Sequence, residues 1–135
     1  MAYRHLERGE LDNGKLESFI RYLVICARNW SLTSYKDAQE NTGLSFEAIG
    51  NYLGNIGNFC AEHDGWGPLP AMVLSADGLP SEGFILWRES TDRQDHGSLE
   101  ANWANDLSEC LRSFYRQDTS FFLTGLGDQV RNFNQ

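Results

Sequence analysis

The sequence predicts a mainly α protein with a small β component, and three observations lead to this fold class. Three long segments carry apolar residues at the three- and four-residue spacing of an amphipathic helix. Two short apolar runs flank an Asp-Gly turn signal, which is typical of paired strands. The 135 residues are a usual length for one domain. We therefore predict a single α+β domain over residues 1–135.

The first and last helical segments are predicted to flank the rest of the fold. Residues 14–30 follow two candidate helix caps, Asp12 and Asn13, and residues 98–117 begin at Ser98. The apolar positions are Leu16, Phe19, Ile20, Leu23, Val24 and Ala27 in the first helix, and Leu99, Trp103, Leu107, Cys110, Leu111 and Phe114 in the last. Each set forms one stripe, so we expect both helices to pack against a common core.

Residues 33–87 are predicted to form a winged helix-turn-helix-like core. Ser34 caps a short helix, a turn containing Gly43 follows, and Ser45 caps a longer central helix. Two helices joined by a glycine-containing turn are typical of a helix-turn-helix.

The wing of this core is predicted from two apolar runs. Residues 71–75 and 83–87 are mostly apolar, and the Asp77-Gly78 pair between them is a turn signal. We therefore expect the two runs to pair as the strands of a β-hairpin.

The central helix carries three different stripes. The apolar stripe consists of Ile49, Tyr52, Leu53, Ile56, Phe59 and Cys60. The stripe without side chains consists of Gly50, Gly54 and Gly57. The amide stripe consists of Asn51, Asn55 and Asn58. Each interior glycine costs a helix up to about 1 kcal/mol relative to alanine. Close packing of another segment is the favoured explanation of the glycines, and close approach of a ligand is the alternative.

The negative charge is concentrated in the middle of the chain. Residues 31–87 contain seven acidic groups and one basic group, Lys36, within a total charge of −8. Such a segment repels nucleic acid, whose binders use Lys and Arg, and attracts a basic partner. The residues that we expect to contact this partner are Glu47, Asn51, Asn55, Asn58, Glu62, Asp64 and Trp66. Trp66 is included because Trp is a frequent interface anchor, although burial under the domain explains it equally well.

Membrane segments, cofactor motifs and catalytic constellations are not predicted. No apolar run approaches the roughly 18 residues of a membrane helix, and the N-terminus lacks the apolar core of a signal peptide, so we expect a cytoplasmic protein. Phosphate-binding loops, serine elbows and zinc-binding motifs are missing from the sequence. Asp92, Asp95 and His96 could bind a metal weakly, but a charged surface loop is the favoured interpretation. No metal, cofactor or enzymatic activity is therefore expected.

The three cysteines are predicted to be buried free thiols. Cys26, Cys60 and Cys110 each occupy an apolar-periodic position, and none belongs to a metal-ligand pattern.

The central segment resembles the winged-helix domain of the alkylguanine-DNA alkyltransferases and the non-catalytic alkyltransferase-like proteins. The family phrases T-S-Y-x-D-L-A, R-A-V-G-N-A-L-G and P-C-H-R-V-V (or P-W-H-R-V-V) are followed by a D-G turn. Their counterparts are residues 33–38, 47–54, 69–74 and 77–78, so the resemblance covers about 50 residues of the chain. It implies a winged helix-turn-helix that binds DNA.

The sequence departs from this family at the functional positions. Pro70 stands where the family has its reactive cysteine or the tryptophan that replaces it, and Ala71 and Met72 stand for its histidine and arginine. Glu47 corresponds to the arginine that the family inserts into the DNA stack. Alkyl transfer requires the missing cysteine, so the resemblance implies the fold without the activity.

Two functions follow from these observations. The first is a non-catalytic acidic module that neutralises a basic protein, such as the immunity partner of a toxin nuclease or a phage-type inhibitor of a nucleic-acid-binding protein. The alternative is a DNA-binding accessory protein of the alkyltransferase-like type, which would use cations outside the centre: Arg21, Arg28, Arg112 and Arg116. The sequence leaves the oligomeric state open.

Overall fold

A computed structural model describes residues 13–62, 66–116 and 126–133. In chain order the elements are α1 (Asn13–Arg28), β1 (Thr33–Ser34), α2 (Tyr35–Thr42), α3 (Phe46–Glu62), a 3-10 helix (Leu69–Met72), β2 (Val73–Leu74), α4 (Glu82–Glu89), α5 (Leu99–Arg116) and α6 (Leu126–Phe133). The prediction of a mainly α fold with a small sheet is confirmed for these residues. The helices predicted at 14–30 and 98–117 correspond to α1 and α5.

Helix α3 lies at the centre of the fold because nearly every side of it is covered. The hydroxyl of Ser45 accepts a hydrogen bond from the Ala48 N–H at 3.1 Å and so caps the helix as predicted. All six residues of the predicted apolar stripe are at most 5% exposed. Helices α2, α4 and α6 and the 3-10 helix pack around α3, which therefore presents little surface of its own.

The connection between α2 and α3 depends on local capping. Ser34 accepts a hydrogen bond from the Asp37 N–H at 3.1 Å at the start of α2. Gly43 ends α2 at φ +76°, a conformation that favours glycine, and its N–H donates to the Gln39 carbonyl at 2.8 Å. These two caps fix the length of α2 and the direction in which the chain enters α3.

The core consists of two adjoining clusters. The larger is built from α1, α3, the 3-10 helix and α5, and all six apolar residues of the α1 stripe are fully buried in it. The smaller contains Ala71, Phe84 and Trp87, with Trp103 and Leu107 of α5 packed against it. The indole N–H of Trp103 donates to the Ala71 carbonyl at 3.0 Å, which ties α5 to the 3-10 helix.

The glycine stripe of α3 is explained by packing at one of its members. A Cβ atom at Gly57 would lie 2.3 Å from Nε1 of Trp87, which is itself fully buried. The indole of α4 therefore occupies the space that a side chain on α3 would need, and this is the tight internal packing favoured from the sequence.

The predicted β-hairpin wing is wrong. Within residues 13–62, 66–116 and 126–133 only two short strands form, and they pair in parallel, with Thr33 opposite Val73 and Ser34 opposite Leu74. The Asp77-Gly78 turn is present, with Gly78 at φ +81°, but it connects β2 to a helix. The sheet thus links the start of α2 to the end of the 3-10 helix.

The run at 83–87 lies in helix α4 because its burial follows helical spacing. Gly83, Phe84 and Trp87 are buried, whereas the two residues between Phe84 and Trp87 are partly exposed. The hydroxyl of Ser81 accepts a hydrogen bond from the Phe84 N–H at 3.2 Å, a helix cap that the strand prediction overlooked. A five-residue apolar run does not by itself distinguish a buried strand from a short buried helix.

In the portion of the chain that the structure covers, no helix combines the length and the apolar character needed to cross a membrane.

We expect Gly57→Ala to destabilise the fold by roughly 1–3 kcal/mol, because the overlap with Trp87 outweighs the gain in helix propensity. Urea unfolding followed by circular dichroism measures the change. In a Trp87→Leu background the same substitution should cost much less, since the indole is gone. Equal costs in the two backgrounds would contradict this packing.

Candidate functional site

Two of the three asparagines in the predicted amide stripe are buried. Asn51 is 8% exposed and Asn55 is fully buried. The Asn55 side-chain amide donates to the Asn51 carbonyl at 2.8 Å, inside the helix that carries both residues. The prediction that these two asparagines contact a partner is therefore wrong: they are interior residues, because α3 is covered by its neighbours on this side.

Trp66 is also an interior residue. It is 6% exposed, and its ring meets those of Phe59 and Phe114 edge to face, with centroids 4.9 and 5.7 Å away. The following residue, Gly67, lies so close to α5 that a Cβ there would be 2.4 Å from the Cys110 Cα. The loop folds Trp66 under the domain, which was one of the two interpretations that the sequence allowed.

The other predicted contact residues divide into two locations. Glu47 is exposed in the first turn of α3, where a carboxylate is stabilised by the helix dipole. Asn58 and Glu62 lie near the other end of the same helix; Asn58 is partly exposed and Glu62 is exposed. Asp64 lies outside the described residues.

Asn58 and Glu62 line a cleft where α3, α4 and α6 approach one another. The cleft has a volume of about 560 Å³. Its described lining residues are Asn58, Ala61, Glu62, Ser90, Thr91, Asp92, Arg93 and Phe133. It is the feature of the structure that brings predicted site residues together with polar groups from elsewhere in the chain, and we call it the α3–α4 cleft.

The α3–α4 cleft is rich in hydrogen-bond acceptors. Glu62 and Asp92 are both exposed and acidic. The hydroxyl of Ser90 donates to the Trp87 carbonyl at 2.6 Å, and that of Thr91 donates to the Arg88 carbonyl at 2.8 Å. Because both hydroxyl protons are engaged with the end of α4, the two oxygens can only accept further hydrogen bonds.

The one cation among the described lining residues, Arg93, is neutralised by carboxylates of α5. Its Nε donates to Oδ1 of Asp106 at 3.1 Å, and its guanidinium also pairs with Glu109. The same group lies 5.9 Å from the centre of the Trp87 ring. Arg93 therefore adds little positive charge to the cleft.

Asp106 is the buried centre of this ion-pair network. Its carboxylate is fully buried, and its Oδ2 accepts from Nε of Arg88 at 2.8 Å. Arg88 also donates to the Gln94 carbonyl at 2.7 Å. The network joins the end of α4, the loop after it and α5, and so fixes the wall of the cleft that carries Ser90 to Arg93.

None of the cysteines has the lowered pKa of a nucleophilic thiol. Burial raises the pKa of Cys60 to about 12, raises that of Cys110 well above its usual value, and also raises that of Cys26. All three thiols therefore stay protonated at neutral pH, where the thiolate is the reactive form.

The acidic loop after α4 is organised by hydrogen bonds. Oδ1 of Asp95 accepts from the Gly97 N–H at 2.9 Å and from the Asn102 amide at 3.2 Å, and these bonds lower the pKa of the Asp95 carboxyl. Within the described ranges no group of three or more His, Cys, Asp or Glu residues is arranged to hold a metal ion.

Sequence reasoning found one side of the α3–α4 cleft and missed the other. Asn58 was identified by its place in the amide stripe and Glu62 by its negative charge, but Ser90, Thr91 and Phe133 carried no signal of a binding site. The adjacent Ser-Thr-Asp at positions 90–92 could have been recognised as a polar helix end, but only after residues 82–89 were assigned to a helix.

Comparisons of the chain with protein-family models, with curated proteins and with solved structures found no match.

Asp106→Asn should destabilise the protein by about 3–5 kcal/mol, because it leaves two guanidinium groups without their buried counter-charge. Denaturant unfolding measures the change. Glu109→Gln is the matched control. The side chain of Glu109 is 43% exposed, so this substitution should lower the free energy of unfolding by no more than about 1 kcal/mol. Similar losses for the two variants would contradict the central role of Asp106.

The buried thiols should make the protein less stable at high pH. The pKa of Cys60 is raised from 9.0 to about 12, so the unfolded chain loses this proton first. The stabilisation is complete below pH about 9 and decreases towards pH about 12, by roughly 1.4 kcal/mol per pH unit for each such thiol. Urea unfolding between pH 7.5 and 10.5 should show a shallower decrease in a Cys60→Ala, Cys110→Ala variant. If the free energy of unfolding fell equally steeply with pH in the wild type and the variant, the raised thiol pKa values would be contradicted.

Proposed function

We propose that the protein is a non-catalytic, acidic protein-binding module whose α3–α4 cleft receives a basic side chain of its partner. The partner is a basic protein, and the best candidates are a toxin nuclease, for which this chain would be the immunity protein, and a nucleic-acid-binding protein blocked by a phage-type inhibitor. The chain would act by covering a positively charged surface.

The polarity of the α3–α4 cleft is the observation that carries this proposal. Glu62 and Asp92 supply negative charge, the hydroxyls of Ser90 and Thr91 can only accept hydrogen bonds, and Arg93 is held by Asp106 and Glu109. A guanidinium or ammonium group brings only donors and a positive charge, so it complements this lining. The aromatic ring of Phe133, which is 38% exposed, adds a surface on which a guanidinium can stack.

The surface formed by the segment 31–87 is also negatively charged. Every described acidic residue of the segment 31–87 is exposed: Asp37, Glu40, Glu47, Glu62, Asp77 and Glu82. The only basic residue of that segment is Lys36. Negative charge spread over α2, α3 and the start of α4 would steer a basic protein towards the cleft and make association sensitive to salt.

The resemblance to the alkyltransferase-like proteins supports a scaffold that has lost its chemistry. The parallel β1–β2 pairing places residues 33–34 beside residues 73–74, so two of the phrases that carry the resemblance are neighbours in space. Pro70, at the reactive position, is buried in the 3-10 helix. We propose that the helix-turn-helix of α2 and α3 serves here as a protein-binding scaffold.

An affinity capture from the lysate of the native host tests this function. A basic protein should be retained after nuclease treatment, and Glu62→Lys should weaken its binding about tenfold or more, the equivalent of roughly 1.4 kcal/mol. Glu100→Lys is the matched control: this carboxylate is exposed on α5, outside the cleft lining, and the substitution changes the net charge equally.

Three results would overturn the proposal. Retention of nothing but nucleic acid would favour the DNA-binding alternative. Equal weakening by the two charge reversals would show that overall charge, rather than the cleft, controls binding. Retention that does not depend on salt would show that electrostatic attraction is not the driving force.

A further inference from the structure

Two aromatic side chains form an exposed pair where α1 ends beside α5. Trp30 is 60% exposed and Tyr115 is 63% exposed. Their ring centroids are 5.9 Å apart and their planes are nearly perpendicular, at 85°. Two large aromatic rings that contact each other and still remain more than half exposed require an explanation.

Trp30 lies where α1 ends: its N–H donates to the Ala27 carbonyl at 3.2 Å, and the Ser31 N–H donates to the Cys26 carbonyl at 2.9 Å. This helix end requires a left-handed backbone at position 30 but does not require a tryptophan. Trp30 has φ +53°, the only positive φ of a non-glycine residue among those that the structure describes. Asparagine and glycine adopt this left-handed conformation at lower cost than tryptophan. An exposed tryptophan at such a position gives up backbone stability without gaining burial, which is typical of residues kept for binding.

Exposed positive charge is located on the same two helices. Arg88 and Arg93 are engaged by Asp106. The exposed basic residues among those that the structure describes are Lys15, Arg21, Arg28, Lys36 and Arg112, and all of them except Lys36 lie on α1 and α5. Arg28 is two residues before Trp30, and Arg112 is three before Tyr115, which places it on the same face of α5.

We propose that Trp30, Tyr115, Arg28 and Arg112 form a binding surface for single-stranded nucleic acid. Unpaired bases would stack on the two rings, and the guanidinium groups would contact the phosphates on either side. A duplex fits this surface poorly because its bases are already stacked and cannot reach the rings. An apolar protein surface also fits poorly, since it would remove water from two cations without replacing the lost hydrogen bonds.

This surface is separate from the α3–α4 cleft and from the acidic segment 31–87. None of its four residues belongs to the lining of the cleft. The proposal therefore does not rest on the proposed function, and the two can fail independently.

Titration with a ten-residue oligo-dT at low salt tests the proposal. Trp30 is well placed to report binding by fluorescence quenching, because Trp66 is 6% exposed, Trp87 is fully buried and Trp103 is partly buried. Binding should quench this emission. Its affinity should fall with salt at a logarithmic slope of about −1.4, the value for two phosphate contacts on a single strand.

Trp30→Asn separates binding from folding. Because asparagine suits the left-handed backbone, the variant should be at least as stable as the wild type, yet fluorescein-labelled oligo-dT should bind about tenfold more weakly in an anisotropy assay. The Arg28→Gln, Arg112→Gln double variant should also bind more weakly and reduce the salt slope. Trp30→Asn should leave the retention of a basic protein by the cleft unchanged.

Two matched variants should retain oligonucleotide binding. Lys36→Gln removes an exposed cation outside this surface, and Phe46→Ala removes an aromatic ring that is 50% exposed at the start of α3. Loss of binding in Phe46→Ala would instead assign the strand to the helix-turn-helix. The proposal would be overturned by undetectable binding of oligo-dT at low salt or by wild-type affinity of Trp30→Asn for oligo-dT. It would also be overturned if a duplex bound more tightly than oligo-dT, or if a poly-glutamate peptide bound in place of oligo-dT.

Discussion

The buried carboxylate of Asp106 connects three parts of the structure that have little else in common. It lies on α5 and pairs with Arg88 at the end of α4 and with Arg93 in the loop that follows. A buried ion pair of this kind adds little net stability, but removing one partner is costly, so the arrangement is strongly specified. The α3–α4 cleft depends on it, because the same contacts position Ser90 to Asp92 and neutralise the cleft's own cation.

The close contact between Gly57 and Trp87 determines how α3 and α4, the two helices beside the cleft, pack against each other. Since the indole of α4 lies against the backbone of α3, the two helices approach more closely than a pair with side chains between them could. Among the described residues, the exposed charges of α3 and α4 are mostly carboxylates, whereas the exposed cations other than Lys36, and the Trp30–Tyr115 pair, lie on α1, on α5 or just after α1.

The helices of the larger core were predictable because each buries one long, regular stripe. The apolar residues of α1 and α3 are buried at the positions that periodicity indicated, and the Ser34 and Ser45 caps form as expected. The run at 83–87 was assigned to a strand because five apolar residues fit either period. Burial on two sides of α3 likewise cannot be read from one sequence: a polar stripe looks exposed until the helices that cover it are placed.

The mainly α class, the central helix and the concentration of acidic residues in the middle of the chain follow from the sequence alone. These properties depend on local periodicity, on residue identity and on charge, and each of these can be determined directly from the order of the residues. The tertiary structure alone decided that Arg93 is neutralised, that Asn58 and Glu62 share a cleft with residues 90–93, and that Trp30 meets Tyr115. Each of these depends on contacts between residues far apart in sequence, and such contacts are fixed only when the helices pack.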